Sequence, residues 1–222
     1  HGAMMHYSAT EESKYTLENR GLMVLDSGGQ YLSGTTDITR TIVFDDVTEE
    51  EKYDFTMVLK AHISLASAKF LHGATGSNLD VLARKPLWEI GIDYKCGTGH
   101  GVGYCLSVHE GPQRFSPVPN KVKLEKDMVI TIEPGIYKEG KYGIRIENMV
   151  LVAEDEKTES GQFMRFEPMT LCPISLKGIK SEMLTQQEKD WLNNYHRLVR
   201  EKLSPYLDEE EIKWLSENTR EI

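Results

Sequence analysis

The stretch GLMVLDSGGQYLSGTTDITRTIVF, residues 21–44, decides the fold. Two β-rich runs flank a glycine- and serine-rich connection, which is the pattern of a β-hairpin. From Thr36 to Val43 the residues alternate, with Asp37, Thr39 and Thr41 on one face and Ile38, Arg40 and Ile42 on the other. Two acids, Asp26 and Asp37, fall inside these apolar runs. A second stretch, DMVITIEPGIYKEGKYGIRIENMVLV at 127–152, follows the same plan and predicts a second hairpin. Its embedded acids are Glu133 and Glu147. The likeness is weak internal symmetry and not a strict repeat.

Helices are expected between and after the hairpins. Thr48 and Glu51 fit a capping box, and helix formers run over 49–71 with apolar residues at Met57, Val58, Ala61, Leu65 and Ala68. Ser77 and Asp80 read as a second cap, opening a helix through Trp88 that Pro86 kinks or restarts. Beyond Thr170 the character changes. Thr185 and Glu188 cap a helix with Trp191, Leu192, Tyr195, Leu198 and Val199 on one face. Pro205 ends it, and Asp208 and Glu211 cap a last short helix. This predicts a main domain over 1–174 and a helical extension, packed on it, over 175–222.

With 222 residues, 39% apolar and 27% charged, the composition is that of a soluble globular chain. A net charge of −9 without a basic stripe excludes a nucleic-acid footprint. No apolar run approaches the roughly 18–20 residues of a membrane span, so no membrane partner is expected. The opening HGAMMHYSAT has no basic segment followed by an apolar run, so no signal peptide is expected. Three cysteines, Cys96, Cys105 and Cys172, lack a CxxC spacing. They argue for a reducing compartment, and the expected location is cytoplasmic.

Acids inside strands are unfavourable unless they bind something. Singly, each of the four would be read as a hydrogen-bonded or edge-exposed acid. Between the two hairpins, however, lies KCGTGHGVG, residues 95–103, with four glycines around His100. A P-loop requires Lys-Ser/Thr after its glycines, and here Gly101-Val102-Gly103 follow the histidine, so the phosphate reading fails. The glycines instead let backbone pass close to a metal while one imidazole reaches in. Several carboxylates cannot share a buried space without cations. Four carboxylates and one imidazole form a hard donor set suited to Mn²⁺, Co²⁺, Fe²⁺ or Zn²⁺. Five ligands exceed the need of one catalytic ion, which implies two ions about 3.5–4 Å apart and metal-assisted hydrolysis.

LDSGGQYLSGTTDITRT, GTGHGVG, SVHEGP, TIEPGIY and GIRIENMVLV occur in one order, and together they resemble the metallopeptidases of the pita-bread fold. Within that family the likeness is to the Xaa-Pro aminopeptidases. It covers almost the whole chain, from GAMMHYSAT to the tail beginning LCPI. The resemblance implies an α+β, creatinase/aminopeptidase-like fold and two divalent ions, Mn²⁺ first, with Co²⁺, Zn²⁺ or Fe²⁺ as alternatives. By it, Asp26 chelates one ion, Asp37 and Glu147 bridge the pair, and His100 and Glu133 hold the second. Glu133 is also implied as proton acceptor from the attacking water. His109, in SVHEGP, is implied to hydrogen-bond the scissile carbonyl oxygen, and His6, in HYSAT, to position the substrate. Arg145, two residues before Glu147, is expected to orient the carboxylates. The implied substrate is a peptide with proline in second position, and a homodimer is compatible with the reading.

The chain departs from the family pattern at Cys96, four residues before His100, where a histidine is common. Metal binding is expected to survive this change and the pocket to be reshaped. The family's catalytic domain normally starts some tens of residues before HYSAT. The chain is therefore expected to be an N-terminally incomplete domain whose open β-edges call for a partner. A prolidase and a methionine aminopeptidase are alternatives within the class. A non-catalytic peptide-binding fragment with an incomplete site is the alternative outside it. His62, His72 and His196 lack a site context and are read as surface or helix positions, and Tyr104 and Trp88 as packing residues.

Overall fold

The computed structural model describes residues 5, 7–8, 10–13, 15–105 and 107–222. Strands β1 (Leu22–Tyr31) and β2 (Gly34–Val43) form the expected antiparallel pair around Leu32 and Ser33. Helix α1 (Glu49–Ala66) starts where predicted, with Thr48 and Glu51 in reciprocal capping bonds. It ends five residues short of the expected 71. The Ser67 amide and hydroxyl both turn back to the Ile63 carbonyl, and Phe70–Leu71 becomes a short strand, β3. Pairing with a distant strand outweighs helix propensity there.

Helix α2 (Gly76–Trp88) is capped by Thr75, whose amide donates to Asn78 Oδ1, so the expected cap at Ser77 is displaced by two residues. Asp80 is instead buried against Arg84 one turn on. Pro86 lies inside the last turn without ending the helix. Two short strands follow, β4 (Gly99–His100) and β5 (Arg114–Phe115).

The second stretch is not a simple hairpin. It forms four strands, β6 (Val129–Ile132), β7 (Gly135–Lys138), β8 (Tyr142–Arg145) and β9 (Asn148–Thr158). Strand β7 pairs with β8, and β6 with β9, so the ladder breaks at Glu133-Pro134 on one side and Ile146-Glu147 on the other. Glu133 and Glu147 therefore sit in the gap, not within strands as expected. Pro134 has no amide to donate. The Glu133 amide donates to the Thr98 carbonyl at 2.7 Å and the Glu147 amide to the Thr39 carbonyl at 3.1 Å. The gap thus ties this region both to the glycine-rich loop and to β2.

Strand β10 (Gly161–Pro168), which the sequence pattern did not reveal, completes a sheet in the order β3-β10-β9-β6. The tail forms α3 (Gln186–Leu203) and α4 (Glu209–Asn218), each with the predicted capping box. Leu192, Tyr195, Val199 and Leu215 share one buried core with Phe55 and Val58 of α1 and with Ile144 and Ile146. The helical tail is thus packed directly behind the strand gap. Among the described residues no helix is long and apolar enough to cross a membrane.

His62 and His196 do lie on helices, but both are fully buried; apolar neighbours close over these faces of α1 and α3. His72 is partly exposed and pairs with Glu125. Trp88 and Tyr104 are 50% and 61% exposed, so neither is the packing residue that was expected.

Candidate active site

Period-2 alternation carries Asp37 on β2 into the interior, and the two gap amides bring Glu133 and Glu147 to the same place. His100 arrives on β4. A side chain at Gly99 would come within 1.8 Å of the Thr131 carbonyl, and one at Gly101 within 2.1 Å of the Glu110 carbonyl. Only glycine permits so close a passage of the loop over β6. His100 Nδ1 lies 2.9 Å from the Gly101 carbonyl, which leaves Nε2 free to face the acids. That nitrogen is 3.3 Å from Asp37 Oδ2 and 3.4 Å from Glu133 Oε1. One donor atom from each of Asp37, His100 and Glu147 lies within 4.8 Å of the others.

These groups line a cavity of about 350 Å³ together with Asp26, Glu133 and His109. The His109 ring stands edge-on to His100 with centroids 4.3 Å apart. Asp26 faces the cavity from β1, and its Oδ2 accepts a hydrogen bond from Arg145 Nη2. His6 lies outside the described residues.

Arg145 is 4% exposed and reaches several groups at once. Besides Asp26, its Nε donates to Thr39 Oγ1 at 3.0 Å and its Nη1 to Tyr137 Oη at 2.8 Å, and Glu133 Oε2 is 3.8 Å from Nε. Thr39 in turn donates to Glu147 Oε2 at 2.8 Å. Thr131 donates to Glu133 Oε1 at 3.1 Å and accepts the His100 amide at 3.0 Å. Thr39 shares a face of β2 with Asp37, as the alternation predicts, whereas Thr131 meets Glu133 only because the chain leaves β6 after Ile132, which no periodicity signals. Arg84 gave a fainter signal, its i,i+4 spacing from Asp80.

The acids crowd one another. Burial, reinforced by the charges of Glu133 and Asp37, pushes the Glu147 carboxyl well above the usual range. Burial also raises Glu133, against the opposing pull of His100 and Arg145. Burial pulls His100 down, but hydrogen bonding to Asp37 and Gly101 and the nearby carboxylate charges win, lifting it to about 9. Glu147 Oε1 is buried with no hydrogen-bond partner. An orphaned carboxylate oxygen beside an imidazole and two further acids fits a hard divalent cation.

This crowding sets a pH dependence when a chelator is present. Glu133, Glu147 and His100 all bind protons more tightly folded than unfolded, so their stabilising contribution is full at low pH. It is lost as pH rises through the folded values. His62 and His196, pulled down by burial to about 3 and about 4, act oppositely but only below their ordinary 6.5. Between pH 7 and 9 the melting temperature in EDTA should therefore fall, on the order of 5 °C. Excess Mn²⁺ should remove the fall. A flat profile in EDTA contradicts the crowding.

A second cavity of about 550 Å³ adjoins His100 and Glu133 and is lined by Cys96, Tyr137, Phe115 and Val118. Burial, helped by Glu133, pushes the Cys96 thiol up to about 11, so it is a neutral wall at physiological pH.

The fold and donor set are those of a metal-dependent peptidase, and the chain belongs to metallopeptidase family M24. The family model matches residues 1–154, and that of the C-terminal region of peptidase M24 matches residues 162–222. Aminopeptidase P1 of Arabidopsis thaliana is 43% identical over 226 residues, covering 99% of this chain and 35% of that protein. Aminopeptidase P1 of Lotus japonicus is 45% identical, covering 100% and 34%. The chain thus spans about a third of the length of the curated relatives it matches. The crystal structure of X-prolyl aminopeptidase from Caenorhabditis elegans, described as a cytosolic enzyme with a dinuclear active site, superposes with a TM-score of 0.94 at 41% identity. It covers 100% of this chain and 37% of that one. Prolidase from Pyrococcus furiosus, at 35% identity and a TM-score of 0.62, covers 74% of this chain and 45% of that one. The fold is therefore the pita-bread fold, with the family's C-terminal region attached.

Proposed function

We propose that this chain carries the dinuclear metal centre of an Xaa-Pro aminopeptidase, an enzyme removing the N-terminal residue from peptides with proline second. The observation that carries the reading is the convergence of Asp37, His100 and Glu147 donor atoms within 4.8 Å, beside the orphaned Glu147 oxygen. Asp26 would hold one ion, Asp37 and Glu147 would bridge the pair, and His100 and Glu133 would complete the second. Mn²⁺ is the ion favoured by the oxygen-rich donors. When bound, the pair supplies Lewis acidity for water and for the scissile carbonyl.

The remaining steps fall to the chain itself. Glu133 takes a proton from the attacking water at a carboxylate oxygen and passes it to the leaving nitrogen. His109 directs a ring N–H at the carbonyl oxygen, and His6 positions the substrate. Arg145 holds Asp26 and, through Thr39, Glu147. Residues 1–174 form the body of the site and 175–222 its helical extension, in a cytoplasmic enzyme. Similarity at 41–45% identity over 99–100% of this chain to aminopeptidases P and to an X-prolyl aminopeptidase supports the aminopeptidase reading.

The full-length enzyme loaded with Mn²⁺ should release Xaa from Xaa-Pro-Yaa and leave Xaa-Ala-Yaa intact. Equal turnover of the two tripeptides sinks the proline claim. Preferential turnover of an Xaa-Pro dipeptide points to a prolidase.

A further inference from the structure

Arg40 lies on the face of β2 opposite Asp37, Thr39 and Thr41, yet it is only 6% exposed. The cover on that side comes from the tail. Its Nε donates to the Pro173 carbonyl at 3.0 Å, and its Nη2 to the Cys172 carbonyl at 2.9 Å and to Tyr195 Oη of α3 at 2.9 Å. The same guanidinium reaches the strand gap. Nη1 donates to the carbonyls of Thr39 at 2.9 Å and Glu147 at 2.5 Å, and Nη2 to Asn148 Oδ1 at 2.7 Å. Tyr195 Oη lies 3.3 Å from that Asn148 oxygen as well. Asn148 and Tyr195 are 1% and 4% exposed.

Each of these partners is a neutral oxygen. A buried cation held by neutral groups is a costly stabiliser, because no opposite charge offsets its lost hydration. What it provides is geometry, since five donors in one rigid plane fix several acceptors relative to one another. Here the acceptors belong to three segments: β2, the Glu147–Asn148 step from the gap into β9, and the tail with α3.

We infer that Arg40 is a positioning residue through which Tyr195 and the C-terminal region fix the Glu147 segment for metal binding. The inference rests on the dinuclear-metal reading for its consequence, and on the Arg40 contacts alone for its geometry. The tail is then part of the metal site's support, acting on a carboxylate that it does not touch. Loosening the clamp lets Glu147 swing while leaving its own carboxylate and the other four donors unchanged.

The test uses Tyr195→Phe, which deletes one hydroxyl, and Arg40→Lys, which keeps the charge and loses the planar fork. Mn²⁺ affinity, followed by the EPR signal of the free ion, should weaken about tenfold in each variant. Amide exchange in EDTA should accelerate at Glu147 and remain unchanged in α4. An exposed control, Tyr206→Phe, should alter neither measurement. Unchanged Mn²⁺ affinity with unchanged exchange at Glu147 overturns the inference. Acceleration throughout α3 and α4 together with a lowered melting temperature also overturns it, because it marks a purely structural role. If the unsubstituted chain binds no Mn²⁺, the metal reading fails by itself. The exchange at Glu147 then decides the clamp alone: faster in Tyr195→Phe upholds it, equal overturns it.

Discussion

Glu147→Gln should reduce Mn²⁺ binding to below one equivalent and lower peptidase activity of the loaded full-length enzyme by more than about 100-fold. That bound is set by what changing even a ligand's supporting partner costs. The substitution is nearly isosteric. A glutamine carbonyl can still accept the 2.8 Å bond from Thr39, so the fold should persist. What changes is the orphaned oxygen: an amide nitrogen in its place cannot bridge two cations, and it no longer titrates. The variant should therefore show a second effect in EDTA, a shallower loss of melting temperature between pH 7 and 9, because one of the three crowded groups is gone. Mn²⁺ titration and thermal melts at the two pH values check both. Two equivalents bound at wild-type affinity would falsify the bridging role.

The second large effect is expected away from the acids. Arg84 has 2% of its side chain exposed, and donates to Asp80 at 2.6 Å, to Asp93 at 2.8 Å, and to the carbonyls of Tyr94 and Cys96 at 2.7 and 2.6 Å. Its guanidinium also lies over the Tyr94 ring, 4.1 Å from the centroid. Asp80 accepts from Thr98 as well, and the Thr98 carbonyl takes the Glu133 amide. One cation thus pins the strand of backbone that leads into His100. Arg84→Met leaves Asp80 buried and uncompensated, which costs about 3–5 kcal/mol. In a chain of this size that is a drop on the order of 10 °C in melting temperature. Adding Asp80→Asn to the variant should recover part of the loss, since the stranded charge is then removed. A single variant melting within about 3 °C of the parent would show that the network carries little.

Cys96 illustrates how this network bears on the pocket. Its carbonyl accepts from Arg84 and the residue lines the second cavity, so its backbone is held by a contact that does not involve the side chain. The departure from the family pattern at Cys96 is therefore compatible with an intact donor set.

Much of the site was legible because its parts obey short-range rules. Asp26 and Asp37 sit in β-rich runs that flank a glycine- and serine-rich connection, the pattern of a hairpin, and the hairpin formed. The capping boxes at Thr48, Thr185 and Asp208 began helices where they should, because the reciprocal bonds are local. Where a local signal competed with a distant partner, the partner won. The segment after Ala66 left its helix to pair with β10, and the Ser77 cap yielded to Thr75 while Asp80 went to Arg84. His62 and His196 look like ordinary polar helix positions until two cores close over them.

The sequence alone supplied the candidate donors and their order, since four acids and one glycine-flanked imidazole are readable from residue identity. It also put Asp37 and Thr39 on one face of a strand, because the strand period is two. Only the tertiary structure decided that Glu133 and Glu147 lie in a break of the ladder, with their amides given to Thr98 and Thr39. It alone decided that Arg40 meets Tyr195 across 155 residues of chain. Such contacts depend on which surfaces remain to be buried once each hairpin and helix has formed, and no periodicity along the chain records that outcome.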